Sequence, residues 1–246
     1  MTRPEPLRPA TCEAIVLAGG KGTRLAAAVP DVPKPLAPVG ERPFLDYVLE
    51  QFAASGPVSG VILAVGHLSD KVIAHYRANL AALPLIFSIE DTPLGTGGAL
   101  LHALPQTQSD PVIVCNGDSL VRIDFKSLLL RHAETSADAT IALVSEADTH
   151  RYGRVLVEGT RVTDFEEKST RDGPGLINAG VYVFRRGALD GLAVRPCSLE
   201  HDILPPLVKN GRVFAMLSEG PFLDIGLPES YASARDFLRA WNQSGS

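Results

Sequence analysis

The length and composition of the chain favour a globular protein with a substantial core. It has 246 residues, 45% of them hydrophobic, and 23 basic against 28 acidic side chains give a net charge of −5. A mildly acidic chain is a poor partner for nucleic acid or an anionic membrane surface, so affinity for phosphate has to come from a local cluster of charge. No apolar run reaches the length of a membrane span, and the polar, proline-rich start is unlike a signal peptide, which predicts a cytoplasmic protein.

Short apolar runs alternate with amphipathic stretches over the first 145 residues. The runs have the length and composition of buried strands, and the stretches between them have helical spacing. This βαβα order is typical of a doubly wound α/β fold with a mostly parallel, Rossmann-like sheet. The predicted strands are 14–17, 61–65, 85–89, 112–115 and 140–144, and the predicted helices are 43–56 and 69–78, the second with Ser69 as its N-cap.

The pattern becomes rich in β-structure from about Arg154. Three alternating stretches separated by turn residues predict strands, and two helical patterns follow them. No internal repeat is visible, so the whole chain is expected to form one compact unit. The three stretches are 154–159, 161–167 and 177–184, and the helical patterns are 198–211 and 228–241.

The first chemical signal is the stretch "LAGGKGTRL" (17–25), directly after the first predicted strand. Glycine lets the main chain approach phosphate oxygens closely, and Lys21 and Arg24 supply compensating charge. The spacing is neither that of a P-loop nor that of a dinucleotide fingerprint. The alternative is an ordinary turn between a strand and a loop.

The second signal is Lys34, which Pro33 and Pro35 bracket. Both prolines restrict the backbone, so the lysine is presented from a stiffened loop at a reduced entropic cost. A solvated linker is the alternative interpretation.

Two aspartates follow apolar strands at widely separated positions. Asp118 ends the "NGD" turn after a predicted strand, and Asp224 precedes a glycine and the last predicted helix. Mg²⁺ prefers hard oxygen ligands and usually shares them with substrate phosphates, so these carboxylates could complete one metal site. An Asx turn at Asn116, or a buried structural aspartate at either position, would need no metal.

Taken together, these motifs resemble the sugar-1-phosphate nucleotidyltransferase family. "LAGGKGTRL", "PKP", "LGTGGAL", "NGD", "FEEK", "NAG" and "FLDIG" follow one another in the family's order across nearly the whole chain. The stretches "RYGRV", "INAGVY" and "SLEHDILP" are most similar to those of its guanylyltransferases that act on D-glycero-α-D-manno-heptose 1-phosphate. The resemblance implies an enzyme that transfers a nucleotidyl group from GTP to such a sugar 1-phosphate and releases pyrophosphate, with Mg²⁺ as cofactor.

The resemblance also implies a role for each motif residue. Asp118 and Asp224 would hold Mg²⁺. The cationic side chains that contact the reacting phosphates would be Arg24, Lys34 and Lys168. The sugar would be bound by Gly153, Glu167 and Asn178. The nucleotide would be bound by Leu17, Ala18, Gly19, Gly20, Gly22, Thr23, Glu90, Gly95, Thr96, Asn116 and Gly117.

The implied organisation is a single domain over residues 1–246. Its nucleotide-binding part is 12–145, its sugar-binding part is 146–227 and its closing helix is 228–246. The left-handed β-helix that some relatives carry at the carboxyl end is not expected. The expected partners are GTP and a sugar 1-phosphate, without nucleic acid or membrane, and a homodimer is left open.

The choice of base is expected to depend on Glu90. Guanine offers two adjacent donors that one carboxylate can accept together, whereas uracil and thymine offer a single ring donor. Glutamate therefore favours GTP over UTP, CTP and dTTP, unless Glu90 is only a surface charge at a strand end.

Two other functions stay open. One is a uridylyltransferase, or an enzyme with another nucleotide, that acts on a hexose or N-acetylmuramate 1-phosphate. The other is an inactive regulatory subunit that binds sugar nucleotides, which is disfavoured because all five charged site residues are present: Arg24, Lys34, Asp118, Lys168 and Asp224.

Overall fold

A computed structural model describes residues 11–25, 29–79, 82–166 and 173–243. Their helices and strands are, in chain order, β1 (Cys12–Leu17), β2 (Pro38–Val39), β3 (Arg42–Pro43), α1 (Phe44–Ser55), β4 (Val58–Val65), α2 (Ser69–Ala78), β5 (Leu85–Ile89), α3 (Gly95–Ala103), β6 (Val112–Asn116), β7 (Ser119–Val121), α4 (Phe125–Thr135), β8 (Ala139–Glu146), β9 (Arg154–Glu158), β10 (Arg161–Glu166), β11 (Gly175–Phe184), α5 (Leu204–Lys209), β12 (Val213–Leu217), β13 (Phe222–Asp224) and α6 (Pro228–Gln243).

The main sheet of these residues has nine strands in the order β5-β4-β1-β6-β11-β8-β12-β10-β9. The pairs β5–β4, β4–β1 and β1–β6 are parallel, as the βαβα alternation predicts. β11 is antiparallel to both of its neighbours, and β10 is antiparallel to β12 and β9. The sheet is therefore mixed, which corrects the expectation of a mostly parallel sheet. Among its antiparallel pairs, β9–β10 joins consecutive strands through a short turn, whereas β11 and β12 pair with strands that do not adjoin them in the chain.

Helices cover both faces of the sheet. Along β4, Val61, Leu63 and Val65 pack into one hydrophobic core, while Ile62 and Ala64 pack into the other. This period of two is that of a strand with both faces buried. The first core takes Phe44 of α1, Val72 of α2, Leu128 of α4 and Leu238 of α6, and the second takes Leu100 of α3 and Leu204 of α5. The doubly wound arrangement is thus confirmed.

A separate two-stranded sheet joins β7 to β13, with Ser119 opposite Asp224. It lies next to the carboxyl end of β6, because β7 follows β6 after a turn of two residues. The guanidinium of Arg122 lies 4.6 Å from the ring centre of Trp241, so α6 is held against the end of β7. The small sheet thereby connects the last helix to the middle of the main sheet.

Two helix boundaries differ from the predictions. The N-cap of α2 is Leu68 in a left-handed conformation, with φ of 56°, and Ser69 is the first helical residue. The predicted helix 198–211 is a π-helical turn, Leu199–Ile203, followed by the short α5. Pro205 and Pro206 have no N–H to donate to a preceding turn, so the regular α-helix begins only there.

The predicted nucleotide-binding and sugar-binding parts share one sheet. β11, from the second part, lies between β6 and β8 of the first, and β12 pairs with β8. Within the described ranges, none of the helices combines the length and the apolar character that a membrane span requires.

Candidate active site

A cavity of about 330 Å³ opens at the carboxyl edge of the parallel strands. β1, β5 and β6 end here, and each is followed by a predicted site residue, which is the usual place for a ligand in an open α/β sheet. Three of the residues that line it were not predicted, Pro35, Pro93 and Ala99, and Lys21, expected only as a source of compensating charge, lines it as well. The predicted residues that line it are Leu17, Ala18, Gly19, Gly20, Lys34, Glu90, Gly95, Thr96, Asn116, Gly117 and Asp118.

The carboxylate of Glu90 lies across the start of the glycine loop. A Cβ atom on Gly19 would come within 2.5 Å of Glu90 Oε1, so only glycine leaves room for this arrangement. Glu90 Oε2 accepts a hydrogen bond of 2.9 Å from the backbone N–H of Leu94, just before α3. Burial raises the pKa of the Glu90 carboxyl, and the Leu94 N–H opposes that shift. The side chain is therefore held at the cavity wall between Gly19 and Leu94.

Lys34 and Asp118, which also line the cavity, form an ion pair. Lys34 Nζ lies 2.5 Å from Asp118 Oδ2, and the two side chains are 12% and 37% exposed. The lysine follows Pro33 at the start of a short 3₁₀ turn, Lys34–Leu36, which keeps it on a rigid segment, as predicted. A cation and a carboxylate therefore meet where nucleotide phosphates would enter.

Asp118 and Asp224 are brought together by the β7–β13 sheet. The backbone N–H of Ile225 donates to the Asp118 carbonyl at 3.0 Å, so the residues that carry the carboxylates are joined through the main chain. Burial raises the pKa of the Asp224 carboxyl, the charge of Asp118 raises it further, and Lys34 opposes both. The two carboxylates thus repel each other across a short distance, and a cation between them would relieve that repulsion.

The donors at this position fit Mg²⁺. Carboxylate oxygens are the hard ligands that Mg²⁺ prefers, and the ion usually completes its shell with water and substrate phosphates. In the described part of the chain, no group of three or more His, Cys, Asp and Glu side chains is arranged as a metal site.

The remaining predicted site residues lie outside this cavity or outside the described residues. Gly22, Thr23 and the exposed Arg24 follow the cavity-lining part of the glycine loop. Gly153 directly precedes β9, and Asn178 lies on β11. Glu167 and Lys168 are outside the described residues.

A hydrogen-bonded chain of side chains between α3 and β11 was not predicted. Glu200 accepts hydrogen bonds from Thr96 and Tyr182, and Asn178 donates to the Tyr182 hydroxyl. Glu200 lies within the stretch "SLEHDILP", which carries part of the resemblance, so the motif pointed to this position. Its partner Thr96 is 104 residues away in sequence, a separation that no local pattern reveals.

Known proteins resemble this chain over most of its length. A family model described as nucleotidyl transferase matches residues 13–240. The chain belongs to this family. It is 34% identical over 228 residues to the D-glycero-alpha-D-manno-heptose 1-phosphate guanylyltransferase of Aneurinibacillus thermoaerophilus. The matched region covers 92% of this chain and 98% of that protein.

Two further relatives extend the comparison. The mannose-1-phosphate guanylyltransferase of Mycobacterium tuberculosis is 34% identical over 92% of this chain, which spans 65% of that longer protein. A crystal structure of HddC from Yersinia pseudotuberculosis, complexed with GMP-PN, superposes with a TM-score of 0.83 at 31% identity, over 92% of this chain and 99% of that one.

Proposed function

We propose that this chain transfers a guanylyl group from GTP to a sugar 1-phosphate, with D-glycero-α-D-manno-heptose 1-phosphate as its sugar substrate. The observation that carries the proposal is the meeting of Asp118, Asp224 and Lys34 at a cavity that Glu90 also lines. The 34% identity to a heptose 1-phosphate guanylyltransferase over nearly the full length of that protein supports the choice of sugar.

The nucleotide half of the reaction follows from the cavity walls. We assign to Glu90 the two adjacent donors on the edge of guanine, and the closeness of its carboxylate to Gly19 supports a base site next to the start of the glycine loop. The backbone N–H groups of the glycine loop, with Lys21 and Lys34, then face the phosphates. The base is fixed at one end of the cavity and the reacting phosphates at the other.

The transfer itself needs positioning and charge. An oxygen of the sugar phosphate forms a bond to the α-phosphorus of GTP while the bond from that phosphorus to the bridging oxygen breaks, and pyrophosphate leaves with the electron pair. Two unit negative charges 4 Å apart repel by about 4 kcal/mol at an effective dielectric constant near 20. Lys34 lowers this cost at the phosphates, and we assign the same task to Arg24 and Lys168.

Asp118 and Asp224 would hold Mg²⁺. When bound, the ion supplies charge neutralisation at the phosphates and fixes their orientation. We assign the contacts with sugar hydroxyls to Glu167 and Asn178, with Gly153 allowing close approach of the backbone.

A matrix of four nucleotides against heptose and hexose 1-phosphates tests the proposal through pyrophosphate release. We expect the highest kcat/KM for GTP with the heptose 1-phosphate, and mannose 1-phosphate to be a slower substrate. Better turnover with UTP would establish the uridylyltransferase alternative, and no release with any pair would make the chain a binding subunit.

Variants of the two aspartates test the site. We expect Asp118→Asn and Asp224→Asn each to lower kcat at least about a hundredfold, because each removes a charge that holds the cation and phosphates in line. Asp236→Asn is the matched control, since Asp236 is on the exposed side of α6 and 82% exposed. Full activity in either site variant would remove that residue from the metal site.

A further inference from the structure

A chain of hydrogen bonds between the half-buried Thr96, Glu200 and Asn178 and the buried Tyr182 connects the nucleotide cavity to β11. Thr96, at the start of α3, lines the cavity and donates to Glu200 Oε2 at 3.0 Å. Tyr182 donates to the other carboxylate oxygen, Glu200 Oε1, at 3.1 Å. The Tyr182 hydroxyl in turn accepts from Asn178 Nδ2 at 2.6 Å. Four side chains thus link a wall of the base site to the residue assigned to the sugar.

The direction of every bond in this chain is fixed by Glu200. An ionised carboxylate only accepts, so the Tyr182 hydroxyl must donate to it and can only accept from Asn178. Tyr182 is 0% exposed, so water cannot replace either partner. The amide of Asn178 is therefore held in one of its two orientations, with Nδ2 towards the tyrosine.

The backbone of β11 makes the position of Asn178 sensitive to this chain. The pairing of β11 with β8 shifts its register between Asn178 and Tyr182, where three residues of β11 lie opposite one residue of β8 in a bulge-like irregularity. Gly180, inside the bulge, has φ of 74°, and its N–H donates to Asn178 Oδ1 at 2.9 Å. Bulges next to active sites serve to direct a side chain. The Asn178 amide bonds to Tyr182 through Nδ2 and to Gly180 through Oδ1. A shift of Tyr182 would therefore change both the orientation of the amide and the backbone of β11.

The other end of the chain is equally well connected. Thr96 Oγ1 accepts from the backbone N–H of Leu199 at 2.8 Å while it donates to Glu200. The N–H groups of Gly97 and Gly98 donate to the Cys197 carbonyl at 3.0 and 3.3 Å. The first turn of α3 and the segment 197–200 therefore move as one body.

We infer that Glu200 is a positioning residue that couples the two substrate sites, so that a nucleotide against α3 fixes the Asn178 amide for the sugar. The inference rests on the proposed function for the identity of the two substrates. It predicts that nucleotide and sugar phosphate bind cooperatively, because the first ligand orders the chain that the second one needs.

Tyr182→Phe tests the coupling with the smallest change. It removes the hydroxyl and keeps the buried ring. We expect the KM for heptose 1-phosphate at saturating GTP to rise about tenfold while kcat changes less than about threefold. In calorimetric titrations, a non-hydrolysable GTP analogue should tighten the binding of heptose 1-phosphate about tenfold in the wild type and less than about twofold in Tyr182→Phe.

The controls separate coupling from loss of stability. Tyr47→Phe removes another tyrosine hydroxyl, one that lies away from both substrate sites and donates to the Val39 carbonyl at 3.3 Å. We expect this variant to keep the wild-type coupling. Thr96→Ser retains the hydroxyl and should keep the coupling, whereas Thr96→Val should lose it. Glu200→Gln should lose it as well, because an amide cannot accept from both sides. Wild-type cooperativity in Tyr182→Phe would overturn the inference, whatever its melting temperature.

Amide hydrogen exchange without ligand gives a result that does not depend on the reaction. Tyr182→Phe, which interrupts the chain of hydrogen bonds, should speed amide exchange at Gly180 and also at Gly97 and Gly98, on the far side of Glu200. If exchange becomes faster at Gly180 alone, the hydrogen bonds do not couple β11 to α3, and the inference is wrong. This outcome is distinct from failure of the proposed function, which would appear as the absence of turnover in the wild type.

Discussion

At the scale of single residues, the ion pair of Lys34 and Asp118 occupies a carboxylate that the proposed metal site needs. Lys34 Nζ lies 2.5 Å from Asp118 Oδ2. A cation arriving without a nucleotide therefore has to compete with the lysine, whereas a nucleotide offers the lysine its phosphates as new partners. We expect Lys34→Met to tighten the binding of Mn²⁺ to the nucleotide-free protein at least about fivefold, as measured by electron paramagnetic resonance.

The matched control for that measurement is Lys126→Met, in the exposed first turn of α4, which removes the same charge far from the cavity. The nucleotide-free affinity should then be that of the wild type. Equal Mn²⁺ affinity in Lys34→Met and the wild type would show that the lysine does not compete for Asp118. The same variant should lower kcat, because the charge that meets the phosphates is lost.

The buried His132 makes stability depend on pH. Its Nδ1 lies 2.9 Å from the hydroxyl of Thr140, and burial lowers the pKa of the imidazole from 6.5 to about 4. Between these values the unfolded chain binds a proton that the folded protein does not. The free energy of unfolding therefore falls as the pH drops from about 6.5 to 4, by up to about 3 kcal/mol from this group.

His132→Gln tests this dependence, because glutamine has no proton to bind in that range. Urea unfolding between pH 7 and pH 4 should show a shallower loss of stability in His132→Gln than in the wild type. His150→Gln, at an exposed position, is the control and should keep the wild-type slope. Parallel slopes for all three proteins would mean that the His132 pKa is not lowered by folding.

At the scale of elements, the first turn of α3 packs closely against the distant segment 195–197. A Cβ atom on Gly98 would lie 2.4 Å from the carbonyl oxygen of Arg195, too close for any real contact. We expect Gly98→Ala to lower the free energy of unfolding by about 1–3 kcal/mol. It should also raise the KM for GTP, because the displaced turn carries Thr96.

Gly60→Ala is the matched control for this substitution. A Cβ atom there would meet only the Pro84 carbonyl at 3.6 Å, an ordinary contact, so stability and KM should stay near the wild-type values. Melting curves and steady-state kinetics measure both variants. A neutral Gly98→Ala would show that the segment at Arg195 can withdraw without affecting the site.

The sequence predicted the elements whose signals are local, and missed those that depend on distant partners. β1, β4, β5, β6 and β8 were found because each is a short apolar run between turn residues. The insertion of β11 between β6 and β8 was not predicted, because strand order is decided by pairing across the sheet. β7 was missed because its three residues are too few for any period to show, whereas the apolar strand expected at Asp224 is β13.

The same distinction applies to the site. The cavity residues of the glycine loop and of the "NGD" turn follow strands directly, so the edge of the sheet could be inferred from the order of elements. Lys21 was noted only as a charge, because the path of the glycine loop decides that it, and not Arg24, lines the cavity. Tyr182 and Glu200 meet Thr96 only in the folded protein.

At the scale of the whole molecule, the interleaving of strands predicts a single cooperative unit. β11 joins the two predicted parts through β6 and β8, and each hydrophobic core takes side chains from both parts. We expect one calorimetric transition with an enthalpy of roughly 170 kcal/mol near 60 °C for 246 residues. Its van't Hoff and calorimetric enthalpies should agree.

Gly180→Ala provides the sharper version of this experiment. A Cβ atom there would lie 2.7 Å from Asn116 Nδ2, so the substitution strains the contact between β11 and the end of β6. We expect the entire transition to move to lower temperature without splitting. Two resolved peaks, in this variant or in the wild type, would mean that the two parts unfold independently.

The pairing of β7 with β13 also has a consequence for how the site is completed while the protein is being synthesised. Asp118 and Asp224 are more than a hundred residues apart, and β13 is the last strand in chain order. A nascent chain on the ribosome therefore lacks its second carboxylate until translation is nearly complete. On the proposed function, turnover would begin only once β13 has been synthesised and has paired with β7.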